Sequence, residues 1–234
     1  MLDQDQPNVF ISGASRGIGL AIAQEFHQQG FGIGICARGQ LGLEQALDTM
    51  PGAWGVTCDV SQKAEVKRLA KQILTNLGTP EVLINNAGIF HPGALHLEEE
   101  EVFEKMMATN LASAYHLTRG LLPAMISRGS GSIINVGSIA GLRAYPNGGS
   151  YSVSKWALRG FTQNLREELK PLGIRVLSIL PGPTETDSWN GANIEASRMM
   201  PAQDLAKIVW QAYNLSHRTV IEEIIARPQL GDIE

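Results

Sequence analysis

The sequence predicts an α/β fold: a single-domain, Rossmann-type doubly wound parallel sheet of about seven strands with helices on both faces. Three observations predict it. Short apolar runs alternate with longer helical patterns along all 234 residues, the order that gives a parallel sheet covered by helices. The runs are almost wholly apolar rather than alternating with polar residues, as strands buried on both faces require. A glycine-rich turn follows the first run and opens a helix, the arrangement that cradles a phosphate.

In chain order, Val9-Phe10-Ile11 reads as the first strand and residues 18–28 as the helix after it. Residues 31–37 form a second strand, 54–58 a third and 82–84 a fourth. Residues 132–136, 174–180 and 220–225 give the fifth, sixth and seventh. Helical patterns lie between them at 64–77, 99–128, 151–169 and 202–215. There is no internal repeat, low-complexity tract or linker, so one domain is expected over 1–234. An irregular stretch over 183–200 is expected to be a substrate lid.

Composition narrows the function. Apolar residues make up 44% of the chain, which suits a globular core. The net charge of −4 argues against a nucleic-acid or anionic-membrane surface. The N-terminus is acidic and polar, unlike a secretory signal, and no apolar stretch reaches the roughly 18–20 residues of a membrane span. Cys36 and Cys58 stand apart in apolar surroundings and read as buried thiols of a reducing compartment. A cytoplasmic location is the expectation. The five histidines have no metal-site spacing, so no metal is expected.

Five features carry chemistry. The first is Gly13-Ala14-Ser15-Arg16-Gly17-Ile18-Gly19, between the first strand and its helix. Glycines let backbone approach a pyrophosphate, and the helix N-terminus offers N–H donors. A tight strand-to-helix turn without a ligand has the same local form. The second is Asn85-Asn86-Ala87-Gly88, at a strand's carboxyl end where α/β sheets bind ligands. Such a segment also serves as an ordinary turn. In the third, Tyr151-Ser152-Val153-Ser154-Lys155, Tyr and Lys at i and i+4 share a helix face. The ammonium is expected to lower the phenol pKa from its reference of about 10. The fourth is Ser138, at the end of the fifth strand and thirteen residues before Tyr151. Its hydroxyl suits a carbonyl oxygen, although most serines at strand ends are turn residues. The fifth is Asn110, which interrupts a long helical pattern; a kink and a polar catalytic role both fit.

Taken together in this order, these features resemble the short-chain dehydrogenase/reductase family from about Asn8 to about Thr186. The resemblance includes Asp59-Val60 after the third strand and Pro181-Gly182 after the sixth. It implies an NAD(P)-dependent oxidoreductase acting on CH–OH or C=O groups. Tyr151 would be the general acid in carbonyl reduction. Lys155 would lower its pKa and hold the nicotinamide ribose. Ser138 would polarise the carbonyl, and Asn110 would hold a water linking Lys155 to solvent. Asp59 and Val60 would border the adenine, with Asn86, Ala87 and Gly88 beside the adenosine ribose. Pro181, Gly182, Thr184 and Thr186 would contact the nicotinamide end. Thr184 departs from the family's usual valine or isoleucine. The ending over 218–228 resembles short bacterial members similar to sepiapterin reductase. Phe90, His91, Leu142, Tyr145, Trp189, Met199 and Met200 are candidate pocket walls, though packing suits the two methionines and His91 better.

The end of the second strand decides the cofactor. A carboxylate there would bond the ribose 2′-hydroxyl of NAD. This chain instead has Cys36-Ala37-Arg38, with no carboxylate before Glu44. Arg38 and Arg16 would bracket a 2′-phosphate, so NADP(H) is the expected cofactor. The reading is an NADPH-dependent reductase of a small-molecule carbonyl substrate. The alternatives are an NAD-dependent alcohol dehydrogenase and a catalytically silent nucleotide-binding regulatory protein. The apolar residues over 111–126 spread beyond one stripe, so a homodimer or homotetramer is expected.

Overall fold

A computed structural model describes residues 6–189 and 194–233. Residues 190–193, within the stretch expected to be a lid, lie outside the described residues. So does the N-terminus read for targeting, over 1–5.

Seven parallel strands form one sheet in the order β3-β2-β1-β4-β5-β6-β7. They are β1 (Asn8–Ser12), β2 (Gly32–Ala37), β3 (Trp54–Thr57), β4 (Val82–Asn85), β5 (Gly131–Val136), β6 (Ile174–Pro181) and β7 (Glu223–Ala226). The helices are α1 (Gly17–Gln28), α2 (Gln40–Asp48), α3 (Lys63–Asn76), α4 (Val102–Met107), α5 (Ser113–Arg128), α6 (Gly149–Leu169) and α7 (Ala202–Tyr213). The expected α/β fold is observed.

Successive strand side chains point to opposite faces, and here both faces are apolar. Val9 and Ile11 of β1 join one core layer with Ile22 and Phe26 of α1 and Leu205 and Val209 of α7. Phe10, between them, joins the other layer with Leu69 and Ile73 of α3, Leu117 and Leu121 of α5, and Leu165 of α6. Each large side chain so buried stabilises by roughly 1.5–3 kcal/mol. Strand order reverses between β1 and β4, which opens a crevice at the carboxyl ends of the strands.

Three expectations need correction. α2 has no counterpart in the sequence reading; it buries only Leu43 and Ala46 and carries Gly42 inside, so its apolar period is faint. The helix expected over 99–128 is three pieces: α4, a wider π-type turn over Ala108–Ala112, and α5. β7 begins at Glu223 rather than 220, because it pairs with β6 only from Ser178 onward. An apolar run shows that a strand exists, whereas its ends are set by its partner.

Candidate active site

A cleft of about 1300 Å³ runs along the carboxyl ends of the strands. At one end lies the glycine turn. Gly13 has φ +65°, and a Cβ there would stand 2.7 Å from Ala87 Cα, so only glycine fits. The turn is fastened to the segment after β4. Ser12 Oγ accepts the N–H groups of Asn86 and Ala87, both at 3.1 Å. Asn86 Nδ2 donates to the carbonyls of Ser12 and Gly13, at 3.0 and 2.9 Å. The side chain of Asn86 thus holds the turn, while Ala87 and Gly88 line the cleft. No side chain caps α1, so its first N–H groups stay available where Gly17, Ile18 and Gly19 border the cleft.

The residues expected around an adenosine are brought together. Ser15, Arg16, Arg38, Asp59 and Val60 all line this end. Asp59 Oδ1 accepts from the N–H and hydroxyl of Ser61, and its own N–H donates to Glu65 Oε2. Arg38 is exposed at the rim. Arg16 Nη1 reaches across to Asp187 Oδ2 at 3.0 Å, with the two side chains 68% and 49% exposed. Cys36 and Cys58 are buried beneath as free thiols. Burial pushes Cys36 up to about 12 and Cys58 up to about 11, which keeps both protonated.

At the middle of the cleft stand Ser138, Tyr151 and Lys155. The chain leaves β5, and Ser138 caps the next short turn, its Oγ accepting Ala140 N–H at 3.1 Å. That turn packs directly on α6, since a Cβ at Gly141 would lie 2.7 Å from Lys155 O. Ser152 Oγ ties the two by donating to Ala140 O at 2.7 Å. α6 begins two residues before Tyr151, and Glu98 caps it by accepting Ser150 N–H at 2.7 Å. Tyr151 and Lys155 lie on one face, as the spacing requires, with Nζ 5.8 Å from the ring centroid. Lys155 Nζ donates to Val136 O at 3.1 Å.

The electrostatics differ from the expectation of a depressed tyrosine. Burial pushes the Tyr151 phenol up to about 12, and a hydrogen bond with Ser138 opposes it only in part. Burial also lowers the Lys155 ammonium to about 8. Desolvation disfavours the charged form of each group. It outweighs a cation that points at a backbone carbonyl rather than at the phenol oxygen.

Asn110 sits in the π-type turn, 1% exposed. Its Oδ1 accepts Ile89 N–H at 2.8 Å, and its Nδ2 donates to Ile89 O at 3.0 Å and to Ser154 Oγ at 2.9 Å. It lies beside Gly88, which also faces Lys155. At the far end, Phe90 meets Tyr151 edge-on at 4.8 Å and tilts against Trp189 at 6.1 Å. Tyr145 lines this end with them, along with Pro181, Gly182, Thr184 and Thr186. His91, Leu142, Met199 and Met200 do not line the cleft, and Met200 packs on the core.

Several residues here escaped the sequence reading. Glu98 acts on α6 from 52 residues away. Arg143 and Arg227 both pair with Asp232, which carries the tail into the cleft. Nothing local marks such distant pairs. Asn85 Nδ2 donates to Thr118 and Asn135 side chains beneath the site; a polar residue inside an apolar strand was the available signal. Among the described residues no cluster of His, Cys, Asp and Glu suits a metal, and no helix is long and apolar enough to cross a membrane.

The sequence profile of the short chain dehydrogenase family matches residues 7–196. A sepiapterin reductase of Chlorobaculum tepidum is 36% identical over 239 residues, spanning 97% of this chain and 98% of its own. A 3-oxoacyl-[acyl-carrier-protein] reductase of Haemophilus influenzae is 33% identical, spanning 85% of this chain and 87% of its own. A solved structure of a variant actinorhodin polyketide ketoreductase with NADPH superposes at TM-score 0.90, with 28% identity and full coverage of both chains. A serine dehydrogenase complexed with NADP+ gives 0.88, with 28% identity and 96% of each chain covered.

Proposed function

The chain belongs to the short-chain dehydrogenase family of NAD(P)-dependent oxidoreductases, and from that premise we propose that it is an NADPH-dependent reductase of small ketones with Tyr151 as the proton donor. One observation carries this reading. A buried phenol, a serine hydroxyl and an ammonium line a cleft that also holds a glycine cradle, with Arg38 rather than a carboxylate just after β2.

The residues fit the dinucleotide. A Cβ at Gly13, Gly17 or Gly19 would crowd Ala87, Thr186 or Asn86, so bare backbone keeps the turn closely packed beside the cleft, and the uncapped start of α1 supplies N–H donors for a pyrophosphate. Arg16 and Arg38 would face the 2′-phosphate, and two complexes among the structural relatives hold NADP(H). Asp59, Val60 and Asn86 to Gly88 would border the adenosine, and Pro181, Gly182, Thr184 and Thr186 the nicotinamide. When bound, NADPH supplies the hydride.

The side chains supply everything else. Ser138 and the Tyr151 O–H hold the carbonyl oxygen and favour charge developing on it. With its pKa near 12 the phenol is protonated at neutral pH, so Tyr151 enters as an acid and gives up its proton as the alcohol forms. Lys155, with a pKa near 8, carries its charge at neutral pH and stabilises the resulting phenolate. Phe90, Tyr145 and Trp189 make an aromatic end suited to a flat, apolar substrate. Trp189, within the segment read as the lid, closes this end. Exposed Tyr115, Ile126, Val153 and Trp156 on α5 and α6 suit the faces of a homo-oligomer.

The test is absorbance of the reduced cofactor with a panel of ketones, diketones and pterins. NADPH should be consumed with at least about tenfold higher efficiency than NADH. Preference for NADH, or no turnover with any carbonyl, would overturn the reading.

A further inference from the structure

The motif that supplies Tyr151 and Lys155 contains two serines that this chemistry does not use. They face different neighbours. Ser152 ties α6 to the Ser138 turn, as described above. Ser154 is fully buried on the other side. Its Oγ donates to the Tyr151 carbonyl at 2.7 Å and accepts from Asn110 Nδ2 at 2.9 Å. A serine bonding a carbonyl three residues earlier is common in helices and by itself signifies little. The bond from Asn110, 44 residues away, makes this hydroxyl a bridge.

We infer that Ser154 is a positioning residue, whose hydroxyl fixes the Asn110 turn against the first turn of α6 and so sets where Tyr151 and Lys155 stand. The inference rests on the reading of Tyr151 as proton donor. The two protons on Asn110 Nδ2 are matched by two acceptors, Ile89 O and Ser154 Oγ. Without the serine oxygen one buried N–H loses its partner, and the turn must shift or leave it unsatisfied. The turn is in close quarters with the catalytic groups. A Cβ at Gly88 would lie 3.3 Å from Asn110 Oδ1 and 3.6 Å from Lys155 Nζ. A small displacement of Asn110 is therefore transmitted to the ammonium.

The experiment compares Ser154→Ala, Asn110→Ala and the double variant. It reads kcat, KM, the pH profile of kcat, NADPH affinity by cofactor fluorescence, and thermal unfolding. Ser154→Ala should lower kcat about tenfold, because small misplacements cost rate more than binding. KM and NADPH affinity should stay within about twofold, and the pH profile should shift. The double variant should be no slower than Asn110→Ala by more than about twofold, since both act through one contact. Ser154→Thr, which keeps the hydroxyl, should recover most of the rate. Should Ser154→Ala not fold, Ser154→Cys takes its place, with similar volume and weaker bonds. Wild-type kcat with only a lowered melting temperature, or multiplicative losses in the double variant, would overturn the inference. If Tyr151→Phe is inactive beside a fully active Ser154→Ala, only the inference fails. An active Tyr151→Phe removes the reading beneath it.

Discussion

The two walls of the cleft are built in opposite ways. On the β5–α6 wall the polar groups are buried and held by backbone or by other buried side chains. Lys155 donates to Val136 O, Ser152 to Ala140 O, and Asn110 is held by Ile89 and Ser154. On the facing wall side chains stand in solvent, where Arg16 pairs with Asp187 at 68% and 49% exposure. Buried bonds fix an atom's place at the cost of desolvation, whereas exposed pairs contribute little and rearrange readily. The proposed proton donor stands on the fixed wall. The arginines proposed to read the 2′-phosphate stand on the adjustable one.

That contrast predicts graded consequences, and the largest belong to the fixed wall. Tyr151→Phe keeps the ring and removes the proton, so turnover should fall at least about a hundredfold with cofactor affinity nearly unchanged. Steady-state kinetics and isothermal titration check this, and retained turnover would break the contrast.

Lys155→Met should abolish most activity, weaken NADPH binding and yet stabilise the unliganded protein at neutral pH. The ammonium falls from 10.5 to about 8 on folding, which corresponds to roughly 3 kcal/mol of unfavourable burial. Below about pH 8 the folded and unfolded chains both carry the charge, and this cost is fully present. Between about 8 and 10.5 the unfolded chain binds more protons, so wild-type stability gains with rising pH and the advantage of methionine shrinks. Tyr151 acts oppositely at higher pH: its folded pKa is raised from 10.0 to about 12, so stability falls through that window. Melting temperatures of both proteins from pH 6.5 to 9.5, a window of roughly three units around the Lys155 value, should converge as pH rises. A methionine variant that melts lower at neutral pH would contradict this.

On the adjustable wall the effects are smaller. Arg38→Ala should weaken NADPH binding about tenfold, leave NADH nearly unchanged, and lose its effect as salt is added. Equal losses for both cofactors would show that Arg38 does not read the 2′-phosphate. Asp187→Asn is the smallest change. Its ion pair is exposed on both sides, so stability should move by less than about 1 kcal/mol. Freed from Asp187, Arg16 should hold NADPH a few times more tightly. Calorimetry and titration of this variant test whether the exposed pair is as weak as its surroundings imply.

The same division decides what the sequence disclosed. The β-strands were legible because Val9 to Ile11 or Ile174 to Leu180 are apolar on both faces, a property of composition alone. The glycine turn and the Tyr151–Lys155 pair were legible because their geometry is local. The π-type turn showed only as an anomaly at Asn110, since what stabilises it, Ile89 and Ser154, is distant in sequence. The expected drop in the phenol pKa did not appear because burial outweighs a neighbour four residues away, and burial is a tertiary quantity. Helix α2 was missed because two buried side chains leave almost no period. The Arg143–Asp232 pair, 89 residues apart, has no trace in either neighbourhood.

The chain around Pro183 to Glu185 and the chain at Met200 meet at nearly one point. Thr184 bridges Met200, Glu185 N–H donates to Met200 O at 2.8 Å, and Met200 N–H donates to Pro183 O at 3.0 Å. The intervening segment therefore closes on a neck that the core already holds. Doubling the length of such a loop costs only about 0.6 kcal/mol in closure entropy. Insertions, deletions or wholesale exchange between 190 and 199 should therefore leave the sheet as it is. On the proposed reading of this segment as a substrate lid, a new substrate would come by exchanging one cassette.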